Sequence, residues 1–452
     1  MVKSIRIKNA YLRKNYSEYF MSIQRPFYLE LLKTKRDNGL IKVVTGIRRV
    51  GKSYLLKKIY KDYLLKDGIS KDQIISLDLD EVKNAKYRNP FELDTYIRAH
   101  IKDVRKKYYI FIDEIQKASA VDNPFLEGSD EKITFVDTIL GLQKLKNVDL
   151  YITGSNSKML STDILTSFRG RGDEIRVYPL SYKEFYTAYR GDKRHAWRDY
   201  WTYGGMPYVV NLKTHKEKLD YLRELVTKIY LKDILERHDI RSENEILEDL
   251  LNYISSSVGS LTNPRNLSNT FASEKKIKIS NSTVDKYLGF FENSFIIHKA
   301  YRYDVKGRKY INTPLKYYFA DAGLRNARLN FRQLEENHIM ENIIYNELIR
   351  RGYCVDIGVV EINGKNKKGQ SYRQQLEIDF VVNAGNDKYY IQSALNISSE
   401  EKAKQEKAPL LKVKESFPKI IIQRDDIIPW KDEDGILHIG IEQFLLEQDI
   451  PV

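Results

Sequence analysis

Cysteine is all but absent. Cys354 stands alone among 452 residues, so no disulfide can form within the chain and a reducing compartment is expected. It falls in an apolar run, and the expectation is a core residue rather than a nucleophile. No apolar run is long enough to cross a bilayer. The opening MVKSIRIKNAYLRKNYSEYF is charged throughout and lacks a signal-type hydrophobic segment. Together these absences set the expectation of a cytoplasmic protein with no membrane partner. The seven histidines show no metal-ligand spacing, and no internal repeat is evident. Acidic residues are outnumbered, 62 against 76 Lys and Arg, which leaves a formal net charge of +14. That excess raises nucleic acid, DNA first, as a partner. An even spread of lysine is also what a basic background composition gives. The apolar fraction of 42% is ordinary for a chain that builds real cores, and the length suits two to four domains.

The most specific feature present is GIRRVGKS, Gly46–Ser53, a complete P-loop pattern. The apolar run Ile41–Thr45 precedes it and reads as a buried strand. Tyr54–Tyr60 follows and reads as a helix. Strand, glycine loop and helix N-terminus make an anion site of backbone N–H groups. Gly46 and Gly51 supply backbone freedom. Lys52 is the candidate for the β- and γ-phosphates and Ser53 for magnesium. Arg49 and Tyr54 join the candidate ATP contacts. About 60 residues on, YYIFIDE (Tyr108–Glu114) is an apolar strand ending in two acids. Asp113 is the candidate magnesium holder, and Glu114 the residue that orients and polarises the attacking water. LYITGSN ends in Ser155 and Asn156, candidate γ-phosphate sensors, or else an ordinary strand-to-loop turn. SFRGRG carries Arg169 and Arg171, candidates for an arginine finger or else a solvated basic turn.

Strands are expected at Ile41–Thr45, Gln73–Asp78, Tyr108–Asp113, Leu150–Thr153 and Glu174–Val177. Their alternation with helices predicts an α/β domain with a parallel sheet. Val121–Lys132 reads as an exposed loop. Helical patterns dominate from Trp197 to Ser257. Then a helix from Asn263–Pro264 to Phe271, a helix Asn281–Glu292 capped by Ser280, and a strand Phe295–Ile297 give a winged-helix pattern. Asn281, Ser282, Lys286 and Tyr287 could approach DNA from the second helix. The tail alternates again: helix Ile339–Arg351, then strands at Tyr353–Ile357, Leu376–Val382, Tyr389–Ser393 and Lys419–Gln423, with Asn363–Gln370 as an exposed loop.

GIRRVGKS, FIDEIQ (Phe111–Gln116), TGSN (Thr153–Asn156), FRGRG (Phe168–Gly172), PLSYKEF (Pro179–Phe185) and YGGMP (Tyr203–Pro207) occur here in the order of one family. In these motifs the chain resembles the prokaryotic AAA-like (AAA_14-type) P-loop ATPases with a C-terminal region labelled DUF4143. The chain is expected to divide into a basic leader (1–20), a P-loop domain (21–190), a helical and winged-helix region (191–334) and an α/β tail (335–452); the resemblance implies that the last three are an AAA+-type ATPase core, a winged-helix region and a nuclease-like domain. It assigns nucleotide chemistry to Lys52, Ser53, Asp113 and Glu114, and the finger to Arg169 or Arg171.

The tail also resembles the PD-(D/E)XK nuclease fold, which implies a helix glutamate, a strand aspartate and a Glu/Gln-x-Lys on the next strand. Glu341, Asp379 and Gln392 match the first three elements. Ala394 stands where the lysine belongs, so cleavage is expected to be weak or absent. Lys402 or Lys404 could substitute. The resulting expectation is a Mg2+-dependent ATPase, a ring or partial-ring homo-oligomer, coupling ATP hydrolysis to action on DNA. The alternative is a slow nucleotide-dependent switch or scaffold whose C-terminal domains bind protein.

Overall fold

The structure is a computed structural model and describes residues 23–126, 128, 130–154, 168, 170–238, 244–365, 371–397 and 399–451. The expected leader, together with Ser155, Asn156 and Arg169, lies outside the described residues. Two compact units divide the chain. One takes Gln24–Tyr178 with Asn293–Phe295, and the other Pro179–Glu292 with Ile296–Val452.

The first unit is built on β1 (Ile41–Thr45), β2 (Ile74–Asp78), β3 (Tyr108–Asp113), β4 (Val148–Thr153) and β5 (Gly172–Arg176). All five are parallel, in the order β2-β3-β4-β1-β5. Strands β1, β3 and β4 are buried at every position. Their apolar runs are the unalternating pattern that a sheet covered on both faces requires. Ile41, Val43, Ile110, Ile112, Leu150 and Ile152 centre the core. The strand ends of the expectation hold to within two residues. Val121–Lys132 is less of a free loop than expected, since Val121 and Asp122 pair with Ile133 and Lys132 in a short antiparallel ladder.

Lys42 is the exception in the run IKVVT. It is fully buried, and its ammonium pairs with Asp149 of β4. The Tyr151 hydroxyl donates to Asp149 at 2.8 Å, and the Tyr60 and Tyr151 hydroxyls meet at 2.7 Å. A buried charge persists only when paired and hydrogen-bonded in this way.

The second unit combines helices with an eight-stranded mixed sheet. Its strands are β6 (Ile297–Asp304), β7 (Lys309–Phe319), β8 (Cys354–Lys365), β9 (Ser371–Ala384), β10 (Asp387–Ala394), β11 (Lys419–Gln423), β12 (Trp430–Lys431) and β13 (Leu437–Gly440). Their order is β12-β13-β11-β10-β9-β8-β6-β7. The expected strand near residue 297 is therefore the start of a hairpin, β6–β7. Through β6 that hairpin runs parallel to β8, so residues assigned to the winged-helix region complete the sheet of the tail.

The expected caps form. The Asn263 side chain accepts from the Asn266 N–H at 2.7 Å and Ser280 from the Thr283 N–H at 3.1 Å, opening helices Pro264–Thr270 and Asn281–Asn293. Tyr287 does not face solvent as expected. It is 3% exposed, on the apolar side of its helix with Val284, Leu288 and Phe291. Cys354 is exposed rather than core, because it opens β8 at the strand's end. Part of the expected loop at 363–370 is strand, since β8 runs on to Lys365.

Two motifs of the family resemblance interlock in this unit. The Leu180 N–H donates to the Gly205 carbonyl at 2.7 Å, and the Gly205 N–H donates to Asp321 at 2.6 Å. A Cβ on Gly205 would lie 2.2 Å from the Leu180 carbonyl oxygen, so the second glycine of YGGMP is a close-approach residue.

Candidate functional site

The loop between β1 and the following helix takes its shape from its glycines. Gly46 sits at φ 133°, and a Cβ there would be 2.2 Å from the Val177 carbonyl oxygen; Gly51 sits at φ 99°. The helix begins at Lys52–Tyr54, passes through a π-helical stretch Leu55–Tyr60 and ends in Lys61–Lys66. Such π stretches concentrate at functional sites.

Lys52 is 5% exposed, and its ammonium donates to the Gly46 and Ile47 carbonyls at 2.8 and 3.1 Å. Burial pushes it down to about 8; Glu114 and Asp113 oppose the shift and Arg48 adds to it. The Ser53 hydroxyl donates to Asp113 Oδ1 at 3.0 Å across 60 residues. The Thr153 hydroxyl donates to the same oxygen. Serine, aspartate and their spacing thus suit a magnesium ion held through Ser53, with Asp113 behind it.

Glu114 follows in the left-handed region, at φ 53°. A non-glycine residue there is strained, and such strain gathers at active sites. Its carboxylate accepts from the Gln116 amide. Arg49 is also left-handed, at φ 64°, and exposed in the loop. Tyr54 is 40% exposed on the first helical turn. Arg171 is exposed and lies elsewhere. Its carbonyl accepts from the Ile41 N–H at 2.8 Å, beside the start of β1, whereas the P-loop leaves the other end of that strand.

Sequence reasoning missed Lys57. Asp78 and Asp113 end neighbouring strands in register, and the Lys57 ammonium bridges them at 2.7 and 2.5 Å. On the sequence it reads as one helix lysine among several; only the strand register gathers its two carboxylates. Thr153 went unread for the same reason, and Gln116, two residues from Glu114, went unread as well, though both lie inside quoted motifs.

In the second unit, Glu341 lies on helix Glu336–Arg350, Asp379 on β9 and Gln392 on β10. All three are buried. The Asp379 N–H donates to Gln392 Oε1 at 3.3 Å, and the Ser393 N–H to Asp379 Oδ2 at 2.8 Å. Burial, then the charge of Glu341, raise the Asp379 carboxyl well above its ordinary range. Lys402 and Lys404 stay exposed on helix Glu400–Leu411. The lysine at this cluster is one the sequence did not nominate, Lys316 of β7, in contact with Glu341 and Glu377.

Residues 38–186 match the family model of an AAA domain. Residues 194–335 match a domain of unknown function, DUF8612. This corrects the DUF4143 label carried by the motif resemblance. An uncharacterized protein of Haemophilus influenzae is 33% identical over 430 residues, covering 94% of this chain and 99% of that protein. An uncharacterized protein of Methanocaldococcus jannaschii is 27% identical over 404 residues, 85% of this chain and 80% of that one. Among solved structures, a Walker-type ATPase of Pyrococcus abyssi aligns with 68% of this chain and 96% of its own at 16% identity, with a TM-score of 0.46. The P-loop geometry, the AAA match and the end-to-end likeness together assign this chain to one family with the Haemophilus influenzae protein, with its AAA domain at residues 38–186.

Proposed function

We propose that this chain is a Mg2+-dependent ATPase of AAA+ type that works as an oligomer and couples hydrolysis to action on DNA. The observation that carries the reading is the Ser53–Asp113 contact, which joins the P-loop to the end of β3. Lys52 binds the β- and γ-phosphates from the loop. Ser53 and Asp113 hold magnesium, which when bound neutralises charge on the phosphates. Glu114 orients the attacking water and draws on its proton. The strand register supports this, because Asp113 and Thr153 sit side by side at the sheet's C-terminal edge, where open α/β sheets take ligands.

DNA action is supported by the net charge of +14 and by the helix–turn–helix that runs into the β6–β7 hairpin. Burial of Tyr287 narrows the contacts available from the second helix to Asn281, Ser282 and Lys286, which are exposed. The C-terminal reading is a nuclease-like fold that does not cut. Support comes from a helix followed by the antiparallel strands β8, β9 and β10, with Asp379 on the middle one. The slower, switch-like alternative is favoured by one contact, the Gln116 amide on Glu114.

The test is ATP turnover with and without DNA. Lys52→Ala should weaken ATP binding about ten- to a hundredfold, the worth of lost charge-assisted hydrogen bonds. Glu114→Gln should bind ATP as the parent does and turn over roughly a hundredfold more slowly. A Glu114→Gln chain that hydrolyses at the parental rate removes the water-positioning role. Hydrolysis indifferent to DNA moves the reading to the switch.

A further inference from the structure

The nuclease-like fold implies a magnesium ion among Glu341, Asp379 and Gln392, and the residues present do not fit one. The Glu341 carboxylate is already engaged: Oε1 accepts from the Lys316 ammonium at 2.9 Å and from the Tyr318 hydroxyl at 2.5 Å. Its other oxygen lies against the backbone of Gly259, where a Cβ would stand 3.2 Å away. That covering segment is tied down. Thr262 and Leu315 exchange N–H···O bonds of 2.8 and 2.9 Å, and the Gly259 N–H donates to the Tyr317 carbonyl at 3.3 Å. Asp379 Oδ2 takes the Ser393 N–H, and Gln392 Oε1 takes the Asp379 N–H, so both side chains are already held by backbone donors.

The cation in this cluster belongs to the chain itself. Lys316 is 4% exposed, and its ammonium lies 2.6 Å from Glu377 Oε1 as well as 2.9 Å from Glu341. Burial alone would lower its pKa, yet Glu341, Asp379 and Glu377 raise it above its ordinary value. Two carboxylates, at 2.6 and 2.9 Å, give this buried ammonium the ion pairing that burial of a charge demands. A divalent ion would have to expel a buried ammonium from between two carboxylates and then displace a tyrosine hydroxyl.

We infer that the Lys316 ammonium is the resident cation of the Glu341–Glu377–Asp379 cluster, occupying from within the chain the place a divalent metal would take. This goes beyond the ATPase reading and stands or falls apart from it, since the P-loop is not involved. The cluster then works as an ionic tie that fastens helix Glu336–Arg350 to β7 and β9. The tie depends on its cation, because removing Lys316 leaves Glu341 buried without its charged partner.

The experiment uses the full chain without nucleotide, with thermal melting and manganese titration as readouts. The parent should show no Mn2+ binding that Asp379→Asn abolishes and no Mg2+-dependent nicking of plasmid DNA. Lys316→Met should lose several degrees of Tm, and added Mn2+ should restore part of the loss, because the vacated carboxylates can then take a divalent ion. If Lys316→Met does not fold, Lys316→Met combined with Glu341→Gln should fold and melt closer to the parent, having fewer uncompensated carboxylates. Manganese binding by the parent that disappears in Asp379→Asn overturns the inference. So does a Lys316→Met chain that folds and melts like the parent.

Discussion

Lys52 carries its charge at a cost set by burial. Its ammonium sits down at about 8, against an ordinary 10.5, because the P-loop excludes water around it. ATP phosphates favour the charged form, so binding above that value must take up a proton. ATP affinity should hold steady below about pH 7. Above about pH 8 it should fall up to tenfold per unit, as ammonium is lost from the free protein. Calorimetric titration at pH 8.5 in two buffers of different ionisation enthalpy would register the uptake, and Lys52→Ala should abolish it. Equal heats in both buffers would remove Lys52 as the titrating phosphate partner. Lys57 differs. Burial lowers it, but Asp113 and Asp78 more than offset that, and it stays charged.

At the scale of the element, β1 and β4 are held by more than their ladder. Lys42 of β1 and Asp149 of β4 form a buried ion pair, extended by the Tyr151 and Tyr60 hydroxyls. Lys42→Met leaves Asp149 charged and unpaired inside the sheet, and should cost about 3–5 kcal/mol in denaturant unfolding. Lys42→Met with Asp149→Leu should recover most of that loss, because both charges are then gone. If the double variant is no more stable than the single one, the pair is not the reason for the loss. These strands were legible from the apolar runs at Ile41–Thr45 and Tyr108–Asp113. Nothing in that first run marks its lysine as half of a pair. Its partner lies 107 residues away and is supplied only by the β1–β4 register.

At the scale of the whole molecule, the position of Arg171 constrains assembly. It lies beside the start of β1, at the end of that strand opposite the P-loop, so a finger role for it would require a neighbouring copy's phosphates. Arg171→Ala should lower turnover on the order of a thousandfold with ATP affinity kept, the usual scale of a lost arginine finger. Mixing it with Glu114→Gln chains should restore some activity. No recovery on mixing, or full turnover by a strict monomer, would eliminate the trans role; Arg169→Ala is the matched comparison. Any DNA complex of so basic a chain should be mainly electrostatic. Its log affinity should fall by close to one unit per log of salt for each phosphate neutralised. A salt-independent affinity would exclude that mode.

The sequence by itself determined the P-loop, the acids at the end of β3 and the positions of the five parallel strands of the first unit. Each is written in contiguous residues: glycine spacing, apolar runs, capping side chains. The tertiary structure alone decided which distant charges meet. Lys57 reaches Asp78 and Asp113 through strand register, and the parallel β1–β5 pairing sets Arg171 at the end of β1 opposite its own P-loop. The lysine that meets Glu341 precedes it in the chain: the β6–β7 hairpin brings Lys316 against Glu341 and Glu377. Local chemistry is encoded by neighbours in sequence; the pairing of buried charge depends on how far strands fold back, which no short pattern records.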